Sequence, residues 1–242
     1  MRFKDKTVIV TGAAGGIGLA ISQRFASEGA RIVMVDLSIE KLKEHLHSFS
    51  EDAVLPLACD VSSEEQVEKA VNETLAHFGS LDIIVNNAGL MIFRELEKQT
   101  GKDWEKILGV DLMGAFYFTK YGFLNMKKGA SIINISSIHA LETTPLVSSY
   151  AAAKAALLSL TRSASIEAGP KGIRVNAILP GAIDTPMLWE NPNIKSGLES
   201  IQKDSLGRPE DIAAVAAFLA SEDAAFVQGA MIEVDGGRMD RL

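Results

Sequence analysis

A tyrosine and a lysine, Tyr150 and Lys154, lie four residues apart in a run rich in alanine and leucine, which favours helix. Residues at positions i and i+4 share one helix face, so the phenol and the ammonium are expected side by side. A free tyrosine has a pKa of about 10, and a neighbouring cation favours its phenolate form. The pair could therefore work as a general acid/base at neutral pH. The alternative is an ordinary amphipathic helix, because this spacing is common.

A glycine-rich turn follows the first apolar run and opens the first helical segment. It reads TGAAGGIG over residues 11–18. Glycine lets the backbone approach a diphosphate closely, and a helix N-terminus supplies N–H donors and the positive end of a dipole. The turn matches T-G-x-x-x-G-x-G and predicts a dinucleotide site with contacts from Gly12, Gly16, Ile17 and Gly18. A tight turn that serves packing alone is the alternative.

Asp36 ends the second predicted strand, 18 residues after Gly18. An acid there can bind both ribose hydroxyls of NAD, and its charge repels the 2′-phosphate of NADP. Neither the glycine turn nor the pair Leu37 and Ser38 supplies a cation for that phosphate. The pattern therefore favours NAD as the cofactor, although Asp36 could also cap the following helix.

Composition excludes several classes of protein. The chain has 242 residues, of which 47% are hydrophobic, and its net charge is -7. An acidic balance disfavours nucleic acid as a partner, and no apolar run reaches the roughly 18 residues that span a bilayer. One cysteine, Cys59, cannot form an internal disulfide and fits a cytoplasmic protein. We expect one domain over residues 1–242, with no metal site and no membrane association.

Short β-branched apolar runs alternate with longer segments of helical period, a pattern that is typical of the α/β class. It predicts a doubly wound, seven-stranded parallel sheet with helices on both faces (Rossmann-type). The predicted strands cover residues 7–11, 31–35, 53–59, 81–86, 131–136, 173–178 and 230–234. Residues 182–206 contain prolines and asparagines without a clear period, so we predict a partly mobile flap over a pocket there.

Taken together, these motifs resemble the short-chain dehydrogenase/reductase family, and the resemblance covers nearly the whole chain. Ser137 precedes Tyr150 by 13 residues, the usual spacing in that family. Further family motifs follow in order: NNAG at 86–89, NISS at 134–137, PGAIDT at 180–185, GRPEDI at 207–212 and VDGG at 234–237. The resemblance implies an NAD-dependent oxidoreductase that acts on CH–OH groups.

The resemblance also implies roles for the matched residues. Tyr150 would exchange a proton with the substrate oxygen, and Ser137 would bind that oxygen. Lys154 would lower the pKa of Tyr150 and bind the nicotinamide ribose. Further cofactor contacts are implied for Asp60 and Val61 at the adenine, for Asn87, and for Ile183 and Thr185 at the nicotinamide.

Residues 110–116 depart from the family pattern. They read VDLMGAF, whereas most members have V-N-L-x-G-x-F. That asparagine bends a helix and anchors a water in the proton relay to the lysine. Asp111 keeps an acceptor oxygen, loses the amide donor, and adds a charge that favours the ammonium form of Lys154. We expect a working enzyme with an altered pH profile; the alternative is a neutral substitution.

The substrate is the least determined feature. The segments expected to line the pocket offer His139, Glu142, Met187 and Trp189, and they are similar to bacterial glucose and polyol dehydrogenases of the family. Polar groups near Ser137 suit a sugar or polyol. The alternatives are a 3-oxoacyl-carrier-protein reductase, an apolar or steroid alcohol dehydrogenase and, least favoured, a non-catalytic NAD-binding scaffold. The family tends to form homotetramers through its two long helices and its last strand, which implies the same for this chain.

Overall fold

The computed structural model describes residues 1–197 and 206–239. The strands in these ranges are β1 (Thr7–Thr11), β2 (Arg31–Asp36), β3 (Val54–Ala58), β4 (Ile83–Asn86), β5 (Ser131–Ile135), β6 (Arg174–Pro180) and β7 (Met231–Val234). They form one parallel sheet in the order β3-β2-β1-β4-β5-β6-β7. The predicted doubly wound, seven-stranded sheet is confirmed.

Helices connect these strands. They are α1 (Gly16–Ser27), α2 (Ile39–His45), α3 (Glu64–Phe78), α4 (Gly101–Leu108), α5 (Gly114–Asn125), α6 (Ser148–Ala168), α7 (Pro186–Trp189), α8 (Pro192–Lys195) and α9 (Pro209–Ala220). A π-helical turn, Gly109–Met113, joins α4 to α5. The sequence predicts helix over about residues 104–127, in one piece or two; the structure has two helices with a wider turn between them.

The two faces of the sheet bury separate apolar layers. Val8 and Val10 of β1 pack with α1 and α9 on one face, and Ile9 packs with α3, α5 and α6 on the other. Successive side chains of a strand point to opposite faces, so a strand covered on both sides must be apolar throughout. This explains the uninterrupted run of buried residues in β1.

The chain reverses its direction of winding at β1. This strand pairs with β2 on one side and β4 on the other, so connections leave it toward opposite edges of the sheet. In doubly wound sheets, ligands bind at the carboxyl ends of the strands beside such a point. The glycine turn after β1 and Asn87, directly after β4, both lie there.

The predicted flap is partly helical. Pro186 and Pro192 each occupy the first turn of a short helix, where the missing N–H of proline costs nothing. The sequence shows no period there because each helix is a single turn long. Residues 198–205 of the predicted flap lie outside the described residues. No helix in the described part of the chain is long and apolar enough to span a membrane.

Candidate active site

The turn between β1 and α1 is shaped for close approach by a ligand. Gly12 and Gly16 have φ values of +64° and +51°, which glycine adopts readily. A Cβ on Gly18 would lie 2.1 Å from the carbonyl oxygen of Gly12, so only glycine fits. No side chain caps the N-terminus of α1, which leaves its N–H groups facing the cavity beside Gly15 and Ile17. This arrangement fits a dinucleotide diphosphate.

Asn87 joins the glycine turn to the neighbouring strand. Its Nδ2 donates hydrogen bonds to the carbonyl oxygens of Thr11 (2.9 Å) and Gly12 (3.3 Å). Its backbone N–H donates to the Thr11 hydroxyl at 2.9 Å. Asn87 therefore fixes the turn and lines the same cavity.

Asp36 also lines this cavity. Its Oδ2 accepts the N–H of Ala14 at 3.1 Å, and its Oδ1 accepts the N–H of Ser38 at 3.4 Å. The carboxylate thus links the glycine turn to the start of α2. Lys41, whose N–H is capped by Ser38, lines the cavity as well and places a cation near Asp36 that the sequence argument missed.

Asp60 and Val61, the predicted adenine contacts, follow β3 beside β2. Asp60 Oδ1 accepts the N–H (2.9 Å) and the hydroxyl (2.6 Å) of Ser62, and Val61 packs against Gly114. Within residues 1–197 and 206–239, neither lines the cavity, so the adenine contact stays a prediction. The preceding Cys59 is 3% exposed, and burial together with Asp60 raises the pKa of its thiol to about 12.

Ser137, Tyr150 and Lys154 lie together in the same cavity, whose volume is about 750 Å³. Ser137 follows β5, and the other two lie one turn apart near the start of α6. The hydroxyl of Ser136 donates to the backbone carbonyl of Lys154 at 2.9 Å, whereas the Ser137 hydroxyl accepts the N–H of His139 at 3.1 Å. Ser137 also lowers the pKa of Tyr150. Both serines line the cavity, but the Ser136 hydroxyl is held by the backbone of α6, so Ser137 stays the predicted catalytic serine.

Asp111 lies beneath Lys154 rather than on the cavity wall. Its Oδ2 is 3.2 Å from Lys154 Nζ, and both side chains are at most 4% exposed. Its Oδ1 accepts the N–H of Leu90 at 3.0 Å, and Lys154 Nζ also donates to the carbonyl of Ile135 at 3.1 Å. A Cβ on Gly89 would come within 2.9 Å of Asp111 Oδ2, so glycine is required beside the ion pair.

The pKa of Tyr150 is raised, whereas the sequence led us to expect that Lys154 would lower it. Burial raises the pKa of Tyr150, Lys154 lowers it, and Asp111 raises it again, so the net direction is upward. Lys154 thus lowers the pKa of Tyr150 as expected, but burial outweighs this effect. The sequence could not reveal this, because burial depends on the whole fold.

The pKa values of Lys154 and Asp111 are shifted as well. Burial lowers the pKa of Lys154, but Asp111 and Tyr150 outweigh burial and raise it, so the ammonium form prevails at neutral pH. Burial raises the pKa of Asp111 against the opposing effects of Lys154 and the Leu90 N–H. The expected stabilisation of the Lys154 ammonium by Asp111 therefore has a geometric basis.

The substrate side of the cavity combines polar and apolar groups. His139 lies with its ring centroid 6.0 Å from that of Tyr150, and its Nδ1 contacts the Thr143 hydroxyl at 3.2 Å. Other residues lining this side are Met91, Glu142, Thr144, Met187, Leu188, Asn191 and Arg238. Trp189 was expected to line the cavity, but it does not. Its Nε1 donates instead to Asp184 Oδ1 at 2.7 Å.

The loop after β6 closes the cavity from the side of the cofactor turn. Ile183 and Thr185, the predicted nicotinamide contacts, both line the cavity, and Thr185 lies within contact distance of a Cβ built on Gly16. Farther along, Asn193 Nδ2 donates to the carbonyl of Pro145 at 2.9 Å, which ties α8 to the loop before α6. The described part of the flap thus packs over the cavity.

The comparisons with known proteins agree with this geometry. A family model described as enoyl-(acyl carrier protein) reductase matches residues 12–238. The meso-2,3-butanediol dehydrogenase of Serratia marcescens is 35% identical, over 98% of this chain and 96% of its own. The chain belongs to the short-chain dehydrogenase/reductase family.

Solved structures of this family give the same result. A short-chain dehydrogenase/reductase of Brucella melitensis, titled glucose/ribitol dehydrogenase, superposes with a TM-score of 0.91 at 35% identity over 98% of this chain and 97% of its own. A 3-ketoacyl-(acyl-carrier-protein) reductase of the same organism, complexed with NADH, has a TM-score of 0.89 at 32% identity over 98% and 99%. The protein is an oxidoreductase that acts on CH–OH groups. Its relatives act on different substrates.

Proposed function

We propose that this short-chain dehydrogenase/reductase interconverts a secondary alcohol and its carbonyl with NAD(H), with a sugar or polyol as the favoured substrate. The observation that carries the proposal is that Ser137, Tyr150 and Lys154 share one cavity with the glycine turn and Asp36. A nicotinamide bound there would supply hydride transfer. Proton transfer and stabilisation of the developing charge are carried out by side chains of the protein.

In the oxidation direction, Tyr150 as phenolate takes the proton of the substrate hydroxyl. Ser137 donates a hydrogen bond to the same oxygen and stabilises the charge that develops on it. Lys154 would stabilise the phenolate and bind the nicotinamide ribose, while Asp111 and the Ile135 carbonyl hold its ammonium in place. Reduction uses the same groups in reverse, with Tyr150 as the acid.

NAD is proposed over NADP because a carboxylate, Asp36, occupies the end of β2 and would repel a 2′-phosphate. Lys41 weakens this discrimination, since its cation lines the same end of the cavity. We therefore expect a preference for NAD, with measurable use of NADP, rather than exclusive use of one cofactor.

The alternative, reduction of acyl groups on an acidic carrier protein, needs a basic surface near the entrance. In the basic segment 94–106, Arg94 pairs with Asp103 at 2.6 Å and Lys98 pairs with Glu95. Pairing neutralises part of the positive surface that a carrier would need. This supports a small substrate.

We also propose a homotetramer. Apolar side chains are exposed on the helices expected at subunit contacts, including Leu124 (69%) of α5 and Ile166 (76%) of α6, and β7 is an edge of the sheet. A partner subunit would cover this surface. Sedimentation velocity of the purified chain tests the stoichiometry. The assignment to the cytoplasm stays a prediction that rests on the lone cysteine.

The test of function is NADH formation measured at 340 nm. Wild type is assayed with sorbitol, ribitol, glucose, 2,3-butanediol and a hydroxysteroid, each with NAD and with NADP, and in the reverse direction with a 3-oxoacyl thioester. We expect oxidation of at least one polyol or sugar with NAD, and its loss in Tyr150→Phe. Binding of NAD without turnover of any substrate would instead support a non-catalytic scaffold.

A further inference from the structure

The described part of the flap is one connected unit that forms a wall of the cavity. The N–H of Asn191 donates to the carbonyl of Leu188 at 3.1 Å, which joins α7 to α8. The side chain of Asn191 accepts the N–H of Asn193 at 2.9 Å and so caps the start of α8. Leu188 and Asn191 line the cavity together with Met187. A movement of α8 therefore moves this wall on the substrate side.

The loop before α6, residues 141–147, forms another wall of the same cavity. The hydroxyl of Thr143 in this loop lies 3.2 Å from Nδ1 of His139, whose ring packs near Tyr150. The position of the loop is therefore coupled to the catalytic end of the cavity. Its lining residues are Glu142, Thr143 and Thr144.

Asn193 joins these two walls. Its Nδ2 donates to the carbonyl of Pro145 at 2.9 Å and lies 3.4 Å from the hydroxyl oxygen of Thr144. The residue is 1% exposed, so water has little access to replace these contacts. Among residues 1–197 and 206–239, those that line the cavity do not include Asn193. Any effect of Asn193 on a substrate therefore passes through the two walls that it holds together.

Space for a substrate beside a bound cofactor is limited. Cavities that hold one drug-sized ligand have volumes of about 300–1,000 Å³. The cavity here has a volume of about 750 Å³, and the proposed function requires it to hold a dinucleotide as well as the substrate. A small displacement of one wall therefore changes which substrates fit.

We propose that Asn193 is a positioning residue for substrate selection, because its hydrogen bond to the loop before α6 holds the flap over the cavity and excludes bulky alcohols. The inference rests on the proposed alcohol–carbonyl chemistry and names a residue that limits the size of its substrate. Helices α7 and α8 have four residues each, and helices this short are not stable alone. Their position depends on contacts with the rest of the protein, so one buried hydrogen bond carries weight.

The first measurement is hydrogen–deuterium exchange of residues 186–197 in the NAD-bound enzyme, followed by mass spectrometry. Asn193→Ala removes the side chain, whereas Asn193→Asp keeps its shape and, when ionised, has no donor. Asn72→Ala, on an exposed face of α3, is the matched control. We expect exchange in this segment to be about 3-fold to 10-fold faster in both Asn193 variants, the effect of one hydrogen bond on local opening. Exchange in α9 should stay as in wild type.

The second measurement is the substrate range. The small alcohols 2,3-butanediol and ribitol are compared with two bulky ones, maltitol and a hydroxysteroid, and the melting temperature of every variant is recorded. We expect wild type to favour a small alcohol, and both Asn193 variants to lower the kcat/KM ratio of small over bulky alcohols by about 3-fold to 10-fold. The change should lie in KM rather than in kcat, because Asn193 does not touch the reacting atoms. Partial unfolding would instead lower the rates on all substrates equally.

The outcomes separate this inference from the proposed function. Unchanged exchange in Asn193→Ala, wild-type behaviour of Asn193→Asp, or an equal loss on small and bulky alcohols would overturn the inference and leave the proposed function intact. A wild-type preference for the bulky alcohols would do the same. Absence of turnover with every alcohol would overturn both.

Discussion

The carboxylate of Asp111 and the ammonium of Lys154 form a buried ion pair, 3.2 Å apart, directly behind the candidate catalytic tyrosine. The π-helical turn Gly109–Met113 places the carboxylate there, and the Leu90 N–H holds its second oxygen. In a buried pair, removal of one partner leaves an uncompensated charge and is strongly destabilising. Where most members of the family have asparagine, this chain therefore has a carboxylate paired with Lys154.

Asp111→Asn should shift the pH dependence of alcohol oxidation to lower pH. Asp111 raises the pKa of Tyr150, so its neutralisation lowers that pKa. Oxidation needs the phenolate of Tyr150, so kcat/KM rises with pH as Tyr150 loses its proton. A lower pKa of Tyr150 moves this rise to lower pH. The measurement is kcat/KM between about pH 6 and pH 10. Asp52→Asn, an exposed site before β3, is the matched control. An unchanged profile in Asp111→Asn would show that the position is a neutral substitution.

Tyr150→Phe should remove catalysis and preserve the fold. The ring remains to fill its buried site, but no hydroxyl is left to exchange a proton with the substrate oxygen. We expect kcat to fall by about 10²-fold to 10⁴-fold, the usual contribution of general acid/base catalysis. Tyr117→Phe, at a half-buried site on α5, is the control and should keep wild-type turnover. Retention of more than a tenth of the activity in Tyr150→Phe would assign the proton transfer to another group.

Asp36→Asn should change cofactor preference. The amide keeps an acceptor for the Ala14 N–H but loses the charge that repels a 2′-phosphate and binds the ribose hydroxyls. We expect the ratio of kcat/KM for NAD over NADP to fall by about 10-fold to 100-fold, the effect of one charged hydrogen bond. Addition of Lys41→Ala should reverse the gain with NADP. A constant ratio in Asp36→Asn would mean that this carboxylate only caps α2.

Gly18→Ala should disrupt the cofactor turn, whereas Gly15→Ala should be tolerated. The added Cβ at position 18 would lie 2.1 Å from the Gly12 carbonyl oxygen and 2.6 Å from Asn87 Nδ2. At position 15 a Cβ meets nothing within 4 Å, and its extended backbone accepts any residue. Thermal unfolding should show a loss of about 1–3 kcal/mol for the first variant, the usual cost of overpacking. Isothermal titration should show weakened NAD binding for that variant alone. Equal behaviour of the two variants would contradict the steric argument.

Local sequence patterns predicted much of the fold and of the site, because they act over short distances. Strand β1 was predicted by its apolar run, the glycine turn by its spacing, and the Tyr150 helix by its alanines. Arg238 and Lys41 were missed, since each reaches the cavity only through a turn or a cap whose direction depends on distant packing. The upward pKa of Tyr150 was missed for the same reason. Burial is a property of the assembled sheet and helices, not of any local segment.

Cys59 has a consequence for experiments in solution. Its backbone N–H donates to the carbonyl of Asp36 at 2.8 Å, and its thiol is buried, with a pKa raised to about 12. Alkylating reagents attack the thiolate, so they can modify Cys59 only when this end of the sheet opens to water. The rate of alkylation therefore measures the opening of β2 and β3 beside Asp36. Slower labelling in the presence of NAD would report cofactor binding without any substrate or turnover.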